Sequence, residues 1–206
     1  MDQPLIWALL FVGTFLLGSI PWGVIVSRIG FHKDIRDEGS GNIGATNALR
    51  TMGKAGGAAV FLLDLGKGLL AGFLVTLFTE GSVALALGFL GCIWGHIFSP
   101  WLKFRGGKGI SVAVGYLFFL YGPLWALIEI ALFALIVALS RYVSAGSVTA
   151  AVACPFIALY LFWGQWTTVG IIALAALTVI WAHRSNLRRL RRGTESKLGS
   201  KAKERS

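Results

Sequence analysis

The stretch from Leu5 to Val26 reads LIWALLFVGTFLLGSIPWGVIV and carries no charged side chain. A helix needs about 20 mostly apolar residues to cross a hydrocarbon layer of ~30 Å. Comparable runs recur along the whole chain. They are Ala55 to Thr79, interrupted by Asp64 and Lys67; Ser82 to Phe98; Ile110 to Gly122, the shortest; Pro123 to Ser140, with Glu129 inside; Tyr142 to Trp163; and Trp166 to Ala182. The expected fold is an all-α, polytopic integral membrane protein with seven transmembrane helices. The short fourth run leaves six crossings or a re-entrant segment open. The first run has no basic n-region before it and is too long for a signal h-region, so it reads as a permanent helix.

Composition agrees with this reading. Of 206 residues, 56% are hydrophobic and 14% charged, against roughly 45–50% and about 25% in soluble domains. A lone soluble domain could not hide this much apolar surface, and disorder requires the opposite bias. Two cysteines exclude a disulfide scaffold. Cys92 and Cys154 lie inside apolar runs and read as inert, buried thiols. The repetition of the runs excludes a single anchor.

The basic residues orient the chain. With the N-terminus outside, segment 28–54 holds five Lys and Arg, segment 100–109 holds Lys103, Arg105 and Lys108, and Arg141 separates the fifth and sixth helices. The tail holds nine more, Lys67 lies within the second helix, and the outer side keeps only Asp2 and Glu80. Retention of positive charge on the cytoplasmic side predicts an outside N-terminus and a cytoplasmic C-terminus. Residues 1–192 read as one membrane domain and 193–206 as a basic cytoplasmic tail drawn to anionic lipid.

The cytoplasmic connections are too rich in donors to be plain linkers. Residues 38–50 read EGSGNIGATNALR. Glycines allow backbone amides to converge on an anion, Ser40, Asn42, Thr46 and Asn47 add side-chain donors, and Arg50 adds a phosphate-matching fork. Gly39 to Gly44 spells G-x-G-x-x-G, with Asp64 downstream. A dinucleotide fingerprint must follow a strand, and HKDIRDE precedes it here, so only the phosphate cradle survives. Residues 103–109, KFRGGKG, form a glycine turn without a Walker pattern. The turn carries Lys108 next to a helix start, where backbone amides favour an anion. His96 stands just before that turn, where a structural role is the simpler reading.

Asp64 and Lys67 are three apart and share a helix face, as a self-neutralising pair or as part of a polar interior. Glu129 has no such partner and no assigned role. In the junction RYVSAGS, residues 141–147, serines cap a helix or touch a ligand. His183 and Asn186 would share one face of a final helical turn. The clusters together suit a substrate with a phosphate head and a long apolar chain. Residue types alone allow a phosphate-handling membrane enzyme or a transporter of a phosphorylated metabolite. A transporter should place its site at midplane, at broken helices, whereas these motifs lie in connections. A scaffold binding anionic lipid would need only the tail, and deleting 193–206 should then separate it from an enzyme whose site lies upstream. No metal ligand set, cofactor motif or nucleic-acid-binding pattern is apparent.

Residues 40–50, SGNIGATNALR, resemble the first signature of the bacterial acyl-phosphate:glycerol-3-phosphate acyltransferases, the PlsY family. Gly95-His96-Ile97-Phe98 with KFRGGKG resembles the second, and residues 183–190, HRSNLRRL, with Gly193-Thr194-Glu195 resemble the third. Residues 64–68, DLGKG, and 18–21, GSIP, also fit. The resemblance implies a seven-helix enzyme of the bacterial inner membrane, with its site on the cytoplasmic side. It would move a fatty acyl group from acyl phosphate to the 1-hydroxyl of glycerol 3-phosphate, giving lysophosphatidic acid and phosphate. No cofactor or metal is expected. Glycerol 3-phosphate, acyl phosphate and membrane lipid are the implied partners, with a soluble acyl-phosphate synthase as a candidate.

The site expected on this basis has Ser40, Arg50, Lys108, His183 and Asn186 as catalytic residues. Substrate contacts are expected from Gly41, Asn42, Gly44, Ala45, Thr46, Asn47, Asp64, Lys67, His96, Gly106, Gly107 and Ser147. The loop from Ser40 to Asn47 would take the donor phosphate. Arg50, Lys108, His183 and Asn186 would hold the glycerol-phosphate end, and Asp64 and Lys67 would organise the floor.

Overall fold

The computed structural model describes residues 3–199. Asp2 of the expected outer side, and Lys201, Lys203 and Arg205 of the expected tail, lie outside the described residues. Within them all regular structure is helical: α1 (Gln3–Gly18), α2 (Trp22–Phe31), α3 (Ala45–Thr76), α4 (Ser82–Ile97), a 3₁₀ turn (Pro100–Leu102), α5 (Ile110–Leu120), α6 (Gly122–Ser140), α7 (Val143–Leu161), α8 (Trp166–Ala182) and α9 (Arg184–Arg191).

Each apolar run forms a helix, but the lengths refine the expected seven crossings. Five stretches are long and apolar enough to span: Gln3–Phe31, Ala45–Thr76, Ser82–Leu102, Gly122–Ser140 and Val143–Leu161. α8 and α9 form a sixth if taken as one element, bent by 53°. α5 has 11 residues, about 16 Å at 1.5 Å per residue, roughly half of the ~30 Å layer. Leu5, Leu9, Val12 and Leu16 on α1 and Leu124, Leu127, Leu135 and Leu139 on α6 are exposed. Such faces have no place in water and suit a multi-pass membrane protein.

α1 packs on α4, and α3 on α5, while α6, α7 and α8 pack in sequence and α8 closes on α4. Small residues allow the first two contacts. A Cβ at Gly95 would meet the Phe15 carbonyl, and one at Gly115 would meet the Leu65 carbonyl. Backbones that close need glycine at the crossing.

The first run is interrupted at Ser19-Ile20-Pro21, between α1 and α2. Carbonyls freed inside a membrane protein must find partners. Ser99 Oγ donates to the Ser19 carbonyl at 2.7 Å, and Lys67 Nζ to the Ile20 carbonyl at 2.8 Å. The second difference concerns the first connection. Residues 28–54 read as a polar connection, but α2 runs to Phe31 and α3 starts at Ala45, leaving 32–44. Ala45, Ala48, Leu49 and Met52 are good helix formers, and they outweigh the glycines around them. Gly53 (φ 71°, ψ −167°) alone departs from helical geometry within α3.

Candidate active site

The N-terminus of α3 forms one wall of the site. Gly44 is its N-cap, and Gly44 N–H donates to Asn42 Oδ1 at 3.0 Å. Asn47 is 2% exposed and ties the preceding loop together. Its Oδ1 accepts from Ser40 N–H at 2.9 Å, and its Nδ2 donates to the carbonyls of Ile35, Glu38 and Asn42 at 3.2, 3.0 and 2.9 Å. Asn47 thus builds the loop, with its donors committed to backbone. The first amides of a helix have no acceptor within it, and Ala45 and Thr46 of this first turn line the cavity. Arg50 follows one turn later, half-buried.

Beside this wall lies a second polar group, of which Asp64 and His96 reach the cavity. Lys67 Nζ reaches Asp64 Oδ1 at 2.9 Å, His96 Nδ1 at 3.0 Å and the Ile20 carbonyl at 2.8 Å. All three side chains are buried. Because the ammonium can only donate, His96 Nδ1 is the acceptor. Gly107 lies directly on the His96 ring and Gly106 on its carbonyl; a Cβ at either would collide. Gly107 N–H donates to the His96 carbonyl at 3.0 Å and Gly106 N–H to that of Ile97 at 2.9 Å. The glycine turn is therefore seated on α4, and the next residue, Lys108, is delivered to the cavity.

The opposite wall comes from α7, α9 and the segment after α9. Glu195 accepts from Ser144 Oγ at 2.8 Å, Asn186 Nδ2 at 2.7 Å and Arg189 Nε at 2.6 Å. Burial would raise its carboxyl, but these hydrogen bonds together outweigh it and hold the group below its ordinary value. Since a carboxylate only accepts, the Asn186 amide orientation is fixed. Its Oδ1 is then buried without a partner. His183 Nδ1 lies 2.8 Å from the Val179 carbonyl, so Nδ1 carries the proton and Nε2 is left as an acceptor. Ser147 Oγ donates to the Val143 carbonyl at 2.9 Å.

These walls enclose one cavity of about 390 Å³. Its polar end holds Arg50, Lys108 and Arg189 against Glu195, a surplus of cations. Burial first, then Arg189 and Arg50 against the opposing Glu195, pushes the Lys108 ammonium from its usual 10.5 down to about 8. From there an apolar arm runs between the helices, lined by Phe61, Leu65, Phe89, Ile93, Leu117 and Phe133 among others.

Ser40, Arg50, Lys108, His183 and Asn186 all line this cavity, as do Asn42, Gly44, Ala45, Thr46, Asn47, Asp64, His96 and Ser147. Gly41, Lys67, Gly106 and Gly107 do not. Gly41 shapes the turn at φ +72°, and the other three support the wall from behind. Sequence reasoning missed Arg189, Ser144 and Glu195 as site residues. Glu195 sits in the segment separated off as a tail, so deleting 193–206 does not distinguish a scaffold from an enzyme. The signals were its place in the third signature and an acidic side chain inside an otherwise basic stretch. Among the described residues, no three His, Cys, Asp or Glu side chains converge as a metal site would require.

A family model described as glycerol-3-phosphate acyltransferase matches residues 8–193. A glycerol-3-phosphate acyltransferase of Rhodopseudomonas palustris (strain BisB5) is 43% identical over 188 residues, spanning 91% of this chain and 93% of that protein. That of Thermosynechococcus vestitus is 40% identical, spanning 97% and 99%, and one from Thermus thermophilus is 42% identical, spanning 97% and 98%. Two crystal structures of PlsY, an integral membrane glycerol 3-phosphate acyltransferase, share the fold. Its glycerol 3-phosphate form gives a TM-score of 0.86 at 32% identity, covering 94% of this chain and 96% of that one. Its lysophosphatidic acid form gives 0.82 at 31%, covering 94% and 95%.

Proposed function

Since this chain belongs to the glycerol-3-phosphate acyltransferase family, we propose that it acylates the 1-hydroxyl of glycerol 3-phosphate, with acyl phosphate as donor. The products are lysophosphatidic acid and inorganic phosphate. The observation that carries this reading is the single cavity joining a cation-rich polar end to an apolar arm, which matches two phosphate heads and one fatty chain.

Acyl phosphate is a mixed anhydride and needs positioning more than activation. In this reading the amides of Ala45 and Thr46, with the hydroxyls of Ser40 and Thr46, hold the donor phosphate at the α3 N-terminus. Arg50 and Lys108 hold the phosphate of glycerol 3-phosphate. Asn186 Oδ1 and His183 Nε2 are acceptors and orient the glycerol hydroxyls. Asp64, Lys67 and His96 fix the floor. The 1-hydroxyl oxygen attacks the acyl carbon, the carbon–oxygen bond to phosphate breaks, and the leaving phosphate takes the hydroxyl proton. The donors around that phosphate stabilise its charge as it develops.

The same reading places the enzyme in the bacterial inner membrane with its polar end towards the cytoplasm, the N-terminus outside and the C-terminus inside. Seven passages of the chain are supported by the site itself. Lys108 before α5 and Ser144 in α7 line one cavity, so α5 and α6 together run out and back. A soluble acyl-phosphate synthase would meet the cytoplasmic face.

The test is purified protein in lipid or detergent with glycerol 3-phosphate and palmitoyl phosphate. Phosphate and lysophosphatidate are both followed, with palmitoyl-CoA and palmitoyl carrier protein as separate donors. Equal release of both products from acyl phosphate alone is expected; turnover only with a thioester would overturn the donor assignment. A general base contributes about 10²- to 10⁴-fold. His183→Gln should therefore lose less than roughly tenfold in kcat, and a larger loss with intact glycerol-phosphate affinity would make His183 the base.

A further inference from the structure

Glu129 is the one charged-type side chain in the interior of α6, and the phosphate chemistry above does not use it. It is 7% exposed, lines the cavity, and its Oε2 is buried without a hydrogen-bond partner. No salt bridge reaches it among the described residues. Ile130, Phe133, Ala150, Ala151 and Cys154 line the same cavity. Buried polar groups are normally satisfied, and an orphaned carboxyl in an apolar channel is a standing demand for a partner.

Its depth can be read from the helices. Eleven residues separate Glu129 from Ser140 at the polar end of α6, about 16 Å of helix at 1.5 Å per residue. Ser144 and Cys154 on α7 differ by ten residues, about 15 Å, and both line the cavity. The carboxyl therefore sits far down the arm, where the acyl chain rather than either phosphate must lie. The nearby Tyr121 hydroxyl is already committed, donating to the Cys154 carbonyl at 2.8 Å, and leaves Glu129 unmet.

We propose that Glu129 is a specificity-determining residue that selects acyl chains bearing a hydroxyl group far from the carboxyl end, which its carboxyl meets by a hydrogen bond. The inference rests on the acyl-transfer reading above. A chain with a hydroxyl at that depth satisfies the orphaned oxygen. An unsubstituted chain buries it against methylenes, and a hydroxyl nearer the carbonyl stays towards the polar end of the cavity, out of reach of this carboxyl.

The experiment is a positional series of hydroxypalmitoyl phosphates beside palmitoyl phosphate, with kcat/KM measured for the parent, Glu129→Gln and Glu129→Leu. The parent should show an optimum hydroxyl position in the distal half of the chain, preferred roughly tenfold over proximal positions, the size of one net hydrogen bond. Glu129→Leu should remove that optimum and improve use of plain palmitoyl phosphate, while Glu129→Gln keeps the optimum in weakened form. A parent profile that is flat, or that peaks near the carbonyl, overturns the proposal without any variant. An optimum that survives in Glu129→Leu overturns it too. Absence of turnover with every acyl phosphate, plain palmitoyl phosphate included, refutes the acyl-transfer reading and this proposal with it, which separates the two failures.

Discussion

At the floor of the site, Asp64, Lys67 and His96 are partnered with one another, whereas at its polar end Arg50, Lys108 and Arg189 face Glu195. The first group is neutral in sum and seals a helix break through the Ile20 carbonyl. The second carries charge that the protein does not neutralise. Buried charges that are matched hold structure, whereas charges left over in a cavity mark where an anion can bind. It also explains why two lysines in matching glycine contexts, DLGKG and RGGKG, have separate duties.

Breaking the matched group should have the largest effect. Lys67→Ala leaves Asp64 uncompensated, and removing one member of a buried pair is expected to destabilise the protein by about 3–5 kcal/mol. Thermal unfolding in detergent reads this, and the double variant Asp64→Leu with Lys67→Leu should recover part of the loss. A single variant as stable as the parent would erase the distinction between the two clusters.

Lys108→Ala should act on binding instead. A charge-assisted contact contributes about 1.5–3 kcal/mol, so kcat/KM for glycerol 3-phosphate should fall roughly 10- to 150-fold. The unfolding temperature should not drop. A large loss of stability would place Lys108 with the structural group.

The pH dependence sharpens the same contrast. Lys108 loses its proton at about 8 in the free protein, while the unfolded chain keeps it to the ordinary 10.5. Glycerol 3-phosphate is a dianion throughout this range, so kcat/KM for it should fall as pH rises through about 8, by up to roughly tenfold per unit. Between about 8 and 10.5 the unfolded state binds more protons, so this group makes stability rise with pH. Opposite slopes for activity and stability are the signature to measure; parallel slopes would assign the pH effect elsewhere.

The smallest effect is expected outside both clusters. Arg184 stacks on Trp181 at 4.0 Å, an exposed contact worth about 0.5–1 kcal/mol. Arg184→Ala should lower stability by no more than that and leave acyl transfer intact.

Much of this cavity was legible because cations and small donors gathered in polar connections leave compositional marks. Ser40, Arg50, Lys108, His183 and Asn186 each stand out by residue type and spacing, and they line one cavity. What spacing could not reveal was direction. Asn47 reads as a donor but faces its own loop. Asn186 offers the cavity an acceptor because Glu195 accepts from its amide nitrogen. Glu195 itself returns to the site only because the chain reverses near Gly193, at φ +67°.

The helical membrane architecture and the clustering of polar groups in the connections are both readable along the chain. Both follow from local quantities, hydropathy over a span length and side-chain chemistry. Packing between distant segments sets the break of α1 and α2 at Ser19 to Pro21, the placement of the first signature on a helix start, and the separate roles of Lys67 and Lys108. Those outcomes depend on which distant carbonyl or carboxylate reaches each group, and pairing over 47 residues in chain distance, as between Ile20 and Lys67, leaves no local trace.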